Sequence, residues 1–201
     1  MSPSKTDVEV AGKDEERVLS PTSLAHLVLR TARYEEMIDF WRLFLGARIT
    51  HRDDSLAFLR YDHEHHRIAI IAVPESVTLP PPGPTSGMHH VAFAFDTLAD
   101  LLQAYQQRKA HGMLPKWCVN HGPTTSIYYQ DPDGNLIETQ VDNFISPEDA
   151  DAFMSGPLFA ENPIGTDFGP EVLQRKMQSG VDEKELKKRI EIGPRKIPED
   201  I

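Results

Sequence analysis

The feature that most constrains this chain is a pattern that occurs twice. A strand-like run over residues 24–29 holds His26. It leads into a helical run in which Tyr34, Met37, Ile38, Trp41, Phe44 and Leu45 recur at helical spacing, closed by Gly46. A second strand-like run, residues 88–95, holds His90. It leads into a helix with Leu98, Leu101, Leu102 and Tyr105 on one face, capped by Thr97 and Asp100 and closed by Gly112. His26 precedes Gly46 by 20 residues and His90 precedes Gly112 by 22. Three short strand candidates follow each helix: residues 48–50, 56–61 and 67–73 in the first unit, and 115–119, 126–130 and 135–141 in the second. Asp131, Pro132, Asp133 and Gly134 part the last two as a type I turn, with Pro second and Gly fourth. The expectation is an α+β chain with two tandem βαβββ modules, at about 22–78 and 86–143.

A length of 201 residues, 39% of them hydrophobic, suffices for one well-buried domain, residues 22–143, and more besides. Residues 1–21 have no hydrophobic periodicity and are expected to be disordered. The proline-rich stretch 80–84 is expected to be a stiff linker between the modules. Residues 144–201 read as a helical C-terminal extension. Ser146 caps a helix with Pro147 in its first turn and acids at its positive end. Further helices are expected over 170–178 and 182–190, the latter with Glu183 and Lys187 as an i,i+4 pair. Phe144, Phe153, Met154, Leu158 and Phe159 are too apolar for a free tail. The extension should pack on the domain or on a partner subunit, as in a homodimer.

Composition excludes some classes. With 21 Lys+Arg against 31 Asp+Glu, the formal charge of −10 opposes binding to phosphate backbones or anionic lipid. No apolar run approaches the ~20 residues that span a bilayer. Residues 1–17 are polar and acidic, unlike a signal or transit peptide. The single cysteine, Cys118, can form no internal disulfide and fits a reducing compartment, so a cytoplasmic protein is expected.

Strand parity places the candidate chemistry. His26 shares a face with Leu24 and Val28. His90 shares one with Ala92 and Ala94, opposite Val91, Phe93 and Phe95. Glu138 lies with Leu136 and Gln140, opposite Ile137 and Val141. If the sheets curl into one concavity, two imidazoles and a carboxylate converge there, a set that leaves open positions on a metal ion. A lone strand histidine is more often a core or surface residue. What sets these residues apart is a histidine at the same place in both units, with a carboxylate in the closing strand.

Those strand starts, Ala25-His26-Leu27-Val28-Leu29 and His89-His90-Val91-Ala92-Phe93, and the run Asp131-Pro132-Asp133-Gly134-Asn135-Leu136-Ile137-Glu138 resemble the vicinal oxygen chelate superfamily. The resemblance covers roughly residues 22–143. It implies a curved mixed sheet around a metal site, with His26, His90 and Glu138 as the metal ligands. Three further residues resemble type I extradiol ring-cleaving dioxygenases. His66, in His66-Arg67-Ile68-Ala69-Ile70, matches a histidine that opens the first unit's closing strand. His121-Gly122 and Tyr128, ten residues before Glu138, match a second stretch, although the interval from His121 to Tyr128 is shorter than the family's. The resemblance implies Fe(II), or Mn(II), a small aromatic diol and O2 as substrates, His66 as general acid or base, and His121 and Tyr128 as hydrogen-bond donors to substrate oxygens. His63 and His65 read as loop residues, His51 and His111 as surface, and Trp41 and Trp117 as core.

Two other functions fit the same fold. A glyoxalase-type isomerase or lyase commonly adds a fourth ligand in the first unit's closing strand, and residues 68–72 offer none. A metal-free binding protein would leave the two histidines and the glutamate without a task.

Overall fold

The computed structural model describes residues 18–77 and 86–198. The expected linker, and all but the end of the segment expected to be disordered, lie outside them. The first module runs β1 (Leu27–Thr31), α1 (Tyr34–Phe44), β2 (Arg48–Arg52), β3 (Leu56–Arg60) and β4 (Ile68–Ala72). The second runs β5 (His90–Ala94), α2 (Leu98–Ala110), β6 (Trp117–Asn120), β7 (Thr124–Gln130) and β8 (Leu136–Asp142). After these come α3 (Pro147–Met154), α4 (Pro157–Glu161), β9 (Thr166–Asp167), α5 (Pro170–Gln178) and α6 (Glu183–Leu186). No described helix is long and apolar enough to cross a membrane.

The strands form two mixed sheets that do not close on each other, ordered β1-β4-β3-β2 and β5-β8-β7-β6-β9. In each module the opening strand pairs in parallel with the closing one, and the rest is antiparallel. The two registers are equivalent. Val28 pairs with Ala69 and Ala92 with Glu138, so Ala69 stands where the second module carries its carboxylate.

One boundary differs from expectation in a way that matters. β1 opens at Leu27, not at residue 24, so His26 lies just before the strand. The Arg67 guanidinium takes the carbonyls of Leu24 and Ala25, and the ladder starts only where the Leu27 amide donates to the Arg67 carbonyl at 2.9 Å. Similarly, α4 and β9 are too short to show a period in sequence. The last helix spans only four residues.

Both modules share one apolar core. Met37, Ile38, Trp41 and Phe44 of α1, and Leu98, Leu101, Leu102 and Tyr105 of α2, are buried against the inward faces of the strands. The core crosses between modules: Trp41 meets Phe93 edge-on at 6.0 Å and Phe44 meets Tyr129 at 5.1 Å. Each such aromatic pair adds about 0.5–1.5 kcal/mol to its area term. Arg108 is buried with them; it donates to the Phe44 carbonyl at 2.9 Å and stacks its guanidinium 4.0 Å over the Phe44 ring.

The chain beyond β8 packs on the second module. β9 adds to the β6 edge, pairing Val119 with Asp167 and Asn120 with Thr166. Glu171 of α5 bonds Tyr105 and Lys109 of α2, and Leu173 and Leu186 join the core.

Candidate functional site

Glu138 is the centre of the better-defined cluster of candidate residues. The Asp131 turn delivers it: Asp131 accepts from the Asp133 and Asn135 amides at 3.0 and 2.8 Å, and Gly134 closes the turn at φ +91°. Only glycine adopts that backbone cheaply. β8 then carries Glu138 between Ala92 of β5 and Tyr128 of β7 in register. The parity read from sequence holds here, with Ile137 and Val141 in the core and Ala92 and Ala94 on the opposite, exposed face of β5.

Around this carboxylate lie four polar side chains. His90 Nε2 is 3.0 Å from Glu138 Oε2. Ser126 lies on the same face of the neighbouring strand, its hydroxyl 3.0 Å from that of Thr124. Burial alone would raise the Glu138 pKa, but His90 at its oxygen, the polar Ser126 hydroxyl and the nearby His121 imidazole hold it below the usual carboxylate value. Tyr128 stands beside Glu138 with its ring 5.4 Å from that of His90, edge to face. Desolvation, with the negative charge of Glu138, pushes the Tyr128 phenol far above its ordinary range, so it keeps its proton and serves as a hydrogen-bond donor. His121 Nε2 is 3.0 Å from the Tyr128 hydroxyl, while its Nδ1 is 2.6 Å from the Ile164 carbonyl. A carbonyl only accepts, so Nδ1 carries hydrogen, and the neutral ring offers Nε2 as an acceptor. His121 can therefore donate toward the site only when protonated, and burial lowers its pKa against that.

The two remaining candidates belong to the first sheet. His26 is exposed, and its ring centroid is 4.5 Å from that of His66. His66 is buried, stacked on Phe58 at 4.3 Å and with its Nδ1 2.5 Å from that of His65. Desolvation, reinforced by His26 and His65, lowers the His66 pKa and keeps it neutral near pH 7. Six residues singled out in the sequence thus fall into two groups: His90, Glu138, Tyr128 and His121 in one, His26 and His66 in the other. Among the described residues, no three His, Cys, Asp or Glu side chains converge closely enough to hold an ion by themselves.

The donor chemistry nevertheless fits a divalent metal. Bonds of about 2.1 Å at a right angle put two ligand atoms about 3.0 Å apart, the His90–Glu138 spacing. Two imidazoles and one carboxylate are ligands that Fe(II) and Mn(II) both accept.

The sequence reading missed Trp117, taken there as core. It is half-buried beside the site, stacked on Tyr128 at 5.2 Å and edge-on to His121 at 5.5 Å, with its indole N–H on Asp167 at 2.7 Å. Its pairing opposite Tyr128 was the available signal, had the β6–β7 register been known.

A sequence profile of the Glyoxalase/Bleomycin resistance protein/Dioxygenase superfamily matches residues 23–139, which contain all six residues above. The chain is 44% identical over 156 residues to Biphenyl-2,3-diol 1,2-dioxygenase 2 of Rhodococcus globerulus, covering 78% of this chain and 82% of that protein. It is 42% identical over 164 residues to Biphenyl-2,3-diol 1,2-dioxygenase 3 of the same organism, covering 81% and 86%. Among solved structures, a glyoxylase/bleomycin resistance protein/dioxygenase domain from Frankia sp. superposes with a TM-score of 0.51 at 14% identity, over 61% of this chain and 99% of that one. That likeness speaks for the fold alone.

Proposed function

Since this chain belongs to the Glyoxalase/Bleomycin resistance protein/Dioxygenase superfamily, we propose that it is an extradiol ring-cleaving dioxygenase, an oxidoreductase that opens a catechol-like ring beside its hydroxyls with O2. The observation that carries the reading is the 44% identity to a biphenyl-2,3-diol dioxygenase across most of both chains. The lack of a fourth ligand in β4, where Ala69 occupies the position equivalent to Glu138, disfavours the isomerase alternative.

His26, His90 and Glu138 would hold one divalent ion, Fe(II) in preference to Mn(II); bound there, it would act as a Lewis acid on the diol and leave positions for diol and O2. The residues do the rest. Exposed Ala92 and Ala94 leave room next to His90 for a planar ring. When protonated, His121 no longer accepts from Tyr128, so the phenol O–H is free to donate a hydrogen bond to a substrate oxygen and the His121 Nε2–H is a second donor. His66, neutral and behind His26, takes up and returns a proton during cleavage, as general base and then acid. Phe58 stacked on its face holds that ring still. The aromatic diol and O2 are its small-molecule partners. We further expect a cytoplasmic homodimer. Exposed Ile145, Met154 and Leu158 on the extension support a subunit contact.

The test is reconstitution with Fe(II) and with Mn(II), metal analysis, and O2 uptake with a panel of catechols. One ion per chain and diol-dependent O2 consumption are expected. A protein that retains no metal and consumes no O2 would favour the metal-free alternative.

A further inference from the structure

The region around His121 is built by the C-terminal extension. Asn162, 1% exposed, accepts with its side-chain Oδ1 from the Ile164 amide at 3.2 Å and the Gly165 amide at 2.8 Å, and its Nδ2 donates to the Gly165 carbonyl at 3.2 Å. The Ile164 carbonyl and the Gly165 N–H belong to one planar trans peptide and point opposite ways. Anchoring that N–H on Asn162 therefore aims the carbonyl outward, and His121 Nδ1 lies 2.6 Å from it.

Two further features clamp the arrangement. A Cβ on Gly165, at φ +102°, would fall 2.1 Å from the Asn120 carbonyl oxygen and 2.7 Å from His121 Cα, so the segment touches the backbone of β6 and His121 directly. Arg189, its side chain 2% exposed, donates to the carbonyls of His121 at 3.0 Å, Asn162 at 2.7 Å and Leu158 at 3.0 Å. A buried guanidinium bridging three carbonyls ties the chain end to the turn that bears His121.

We propose that Asn162 is a positioning residue for this site: by orienting the Ile164–Gly165 peptide it fixes the His121 proton on Nδ1 and leaves Nε2 as the acceptor facing Tyr128. In the other tautomer Nε2 would carry hydrogen, the Ile164 carbonyl would lose its donor, and the direction of the bond to Tyr128 would reverse. The inference rests on the ring-cleavage reading only for the use made of Tyr128.

The full-length protein with 15N-labelled histidine tests it, the His121 signals being those missing from His121→Gln. Wild type should show a pyrrole-type nitrogen at Nδ1 and a pyridine-type nitrogen at Nε2. Asn162→Ala should replace that pattern by a mixture of tautomers, and Gly165→Ala, which forces the segment away, should do the same. Asn162→Asp keeps the accepting oxygen and should keep the wild-type pattern. In Fe(II)-loaded protein, Asn162→Ala should lower kcat about 10–100-fold, the range for lost orienting partners of a site, with a smaller change in KM and recovery in Asn162→Asp. A wild-type His121 with hydrogen on Nε2, or a pattern that survives in both Asn162→Ala and Gly165→Ala, would overturn the proposal. Wild type that cleaves no catechol would refute the ring-cleavage reading instead, and the tautomer signals would still decide this one.

Discussion

Glu138 and His66 are both buried ionisable residues, but their proposed duties are opposite. Glu138 faces His90 at 3.0 Å, and the proposal makes both of them metal ligands. Replacing it by Ala should abolish metal retention and turnover while the circular dichroism spectrum stays that of wild type, because its neighbours Ile137 and Thr139 keep the strand in place. His66 lies in contact with His26 without sharing a pair with Glu138. His66→Phe should keep metal content near wild type and lower turnover of a catechol by ~10²–10⁴-fold, the usual loss for a general acid–base group. Metal loss in that variant would make His66 a ligand and revive the four-ligand isomerase reading. Much at this scale was legible in the sequence because strand parity is a local property: alternation of Val91, Phe93 and Phe95 with His90, Ala92 and Ala94 can be counted along the chain. Trp117, Asn162 and Arg189 were not legible. Trp117 and Arg189 act through partners 50 and 68 residues away, and Asn162 acts through its neighbour Ile164, whose carbonyl meets His121 across 43 residues; no local period encodes such pairings.

At the scale of elements, the two helices that carry core residues at regular spacing were readable, and so was the Thr97 cap, whose hydroxyl accepts from the Asp100 amide at 3.0 Å. The short α4 and β9 were not, since they owe their form to what they dock on. The docking of α5 on α2 is titratable. Lys109 first, and then Tyr105, hold the Glu171 carboxyl down to about 2 from an ordinary 4.5. Because the folded-state pKa is the depressed one, the stabilisation is present above pH 4.5 and is lost as pH falls toward 2. Glu171 is partly exposed, so solvent screening keeps the effect small. Thermal melts should show Glu171→Gln below wild type at pH 6, with the gap closing progressively below pH 4.5. A gap that persisted unchanged to the acid end would mean that the pair contributes through packing and not through charge.

For the molecule as a whole, repetition made the architecture legible. Two units with a histidine at the same place and a glycine after each helix leave few alternatives to paired βαβββ modules, and both sheets have the same strand order through their first four members. How the two sheets stand to each other was less legible, because it depends on cross-module contacts such as Trp41 with Phe93. The functional reading rests on the likeness to two biphenyl-2,3-diol dioxygenases. The most direct measurement is mass analysis of the product formed from a catechol by Fe(II)-loaded protein under 18O2. The account predicts a ring-opened product that carries both labelled oxygen atoms, absent in Glu138→Ala. An unlabelled isomer of the substrate, or no turnover by a protein that holds its metal, would contradict it.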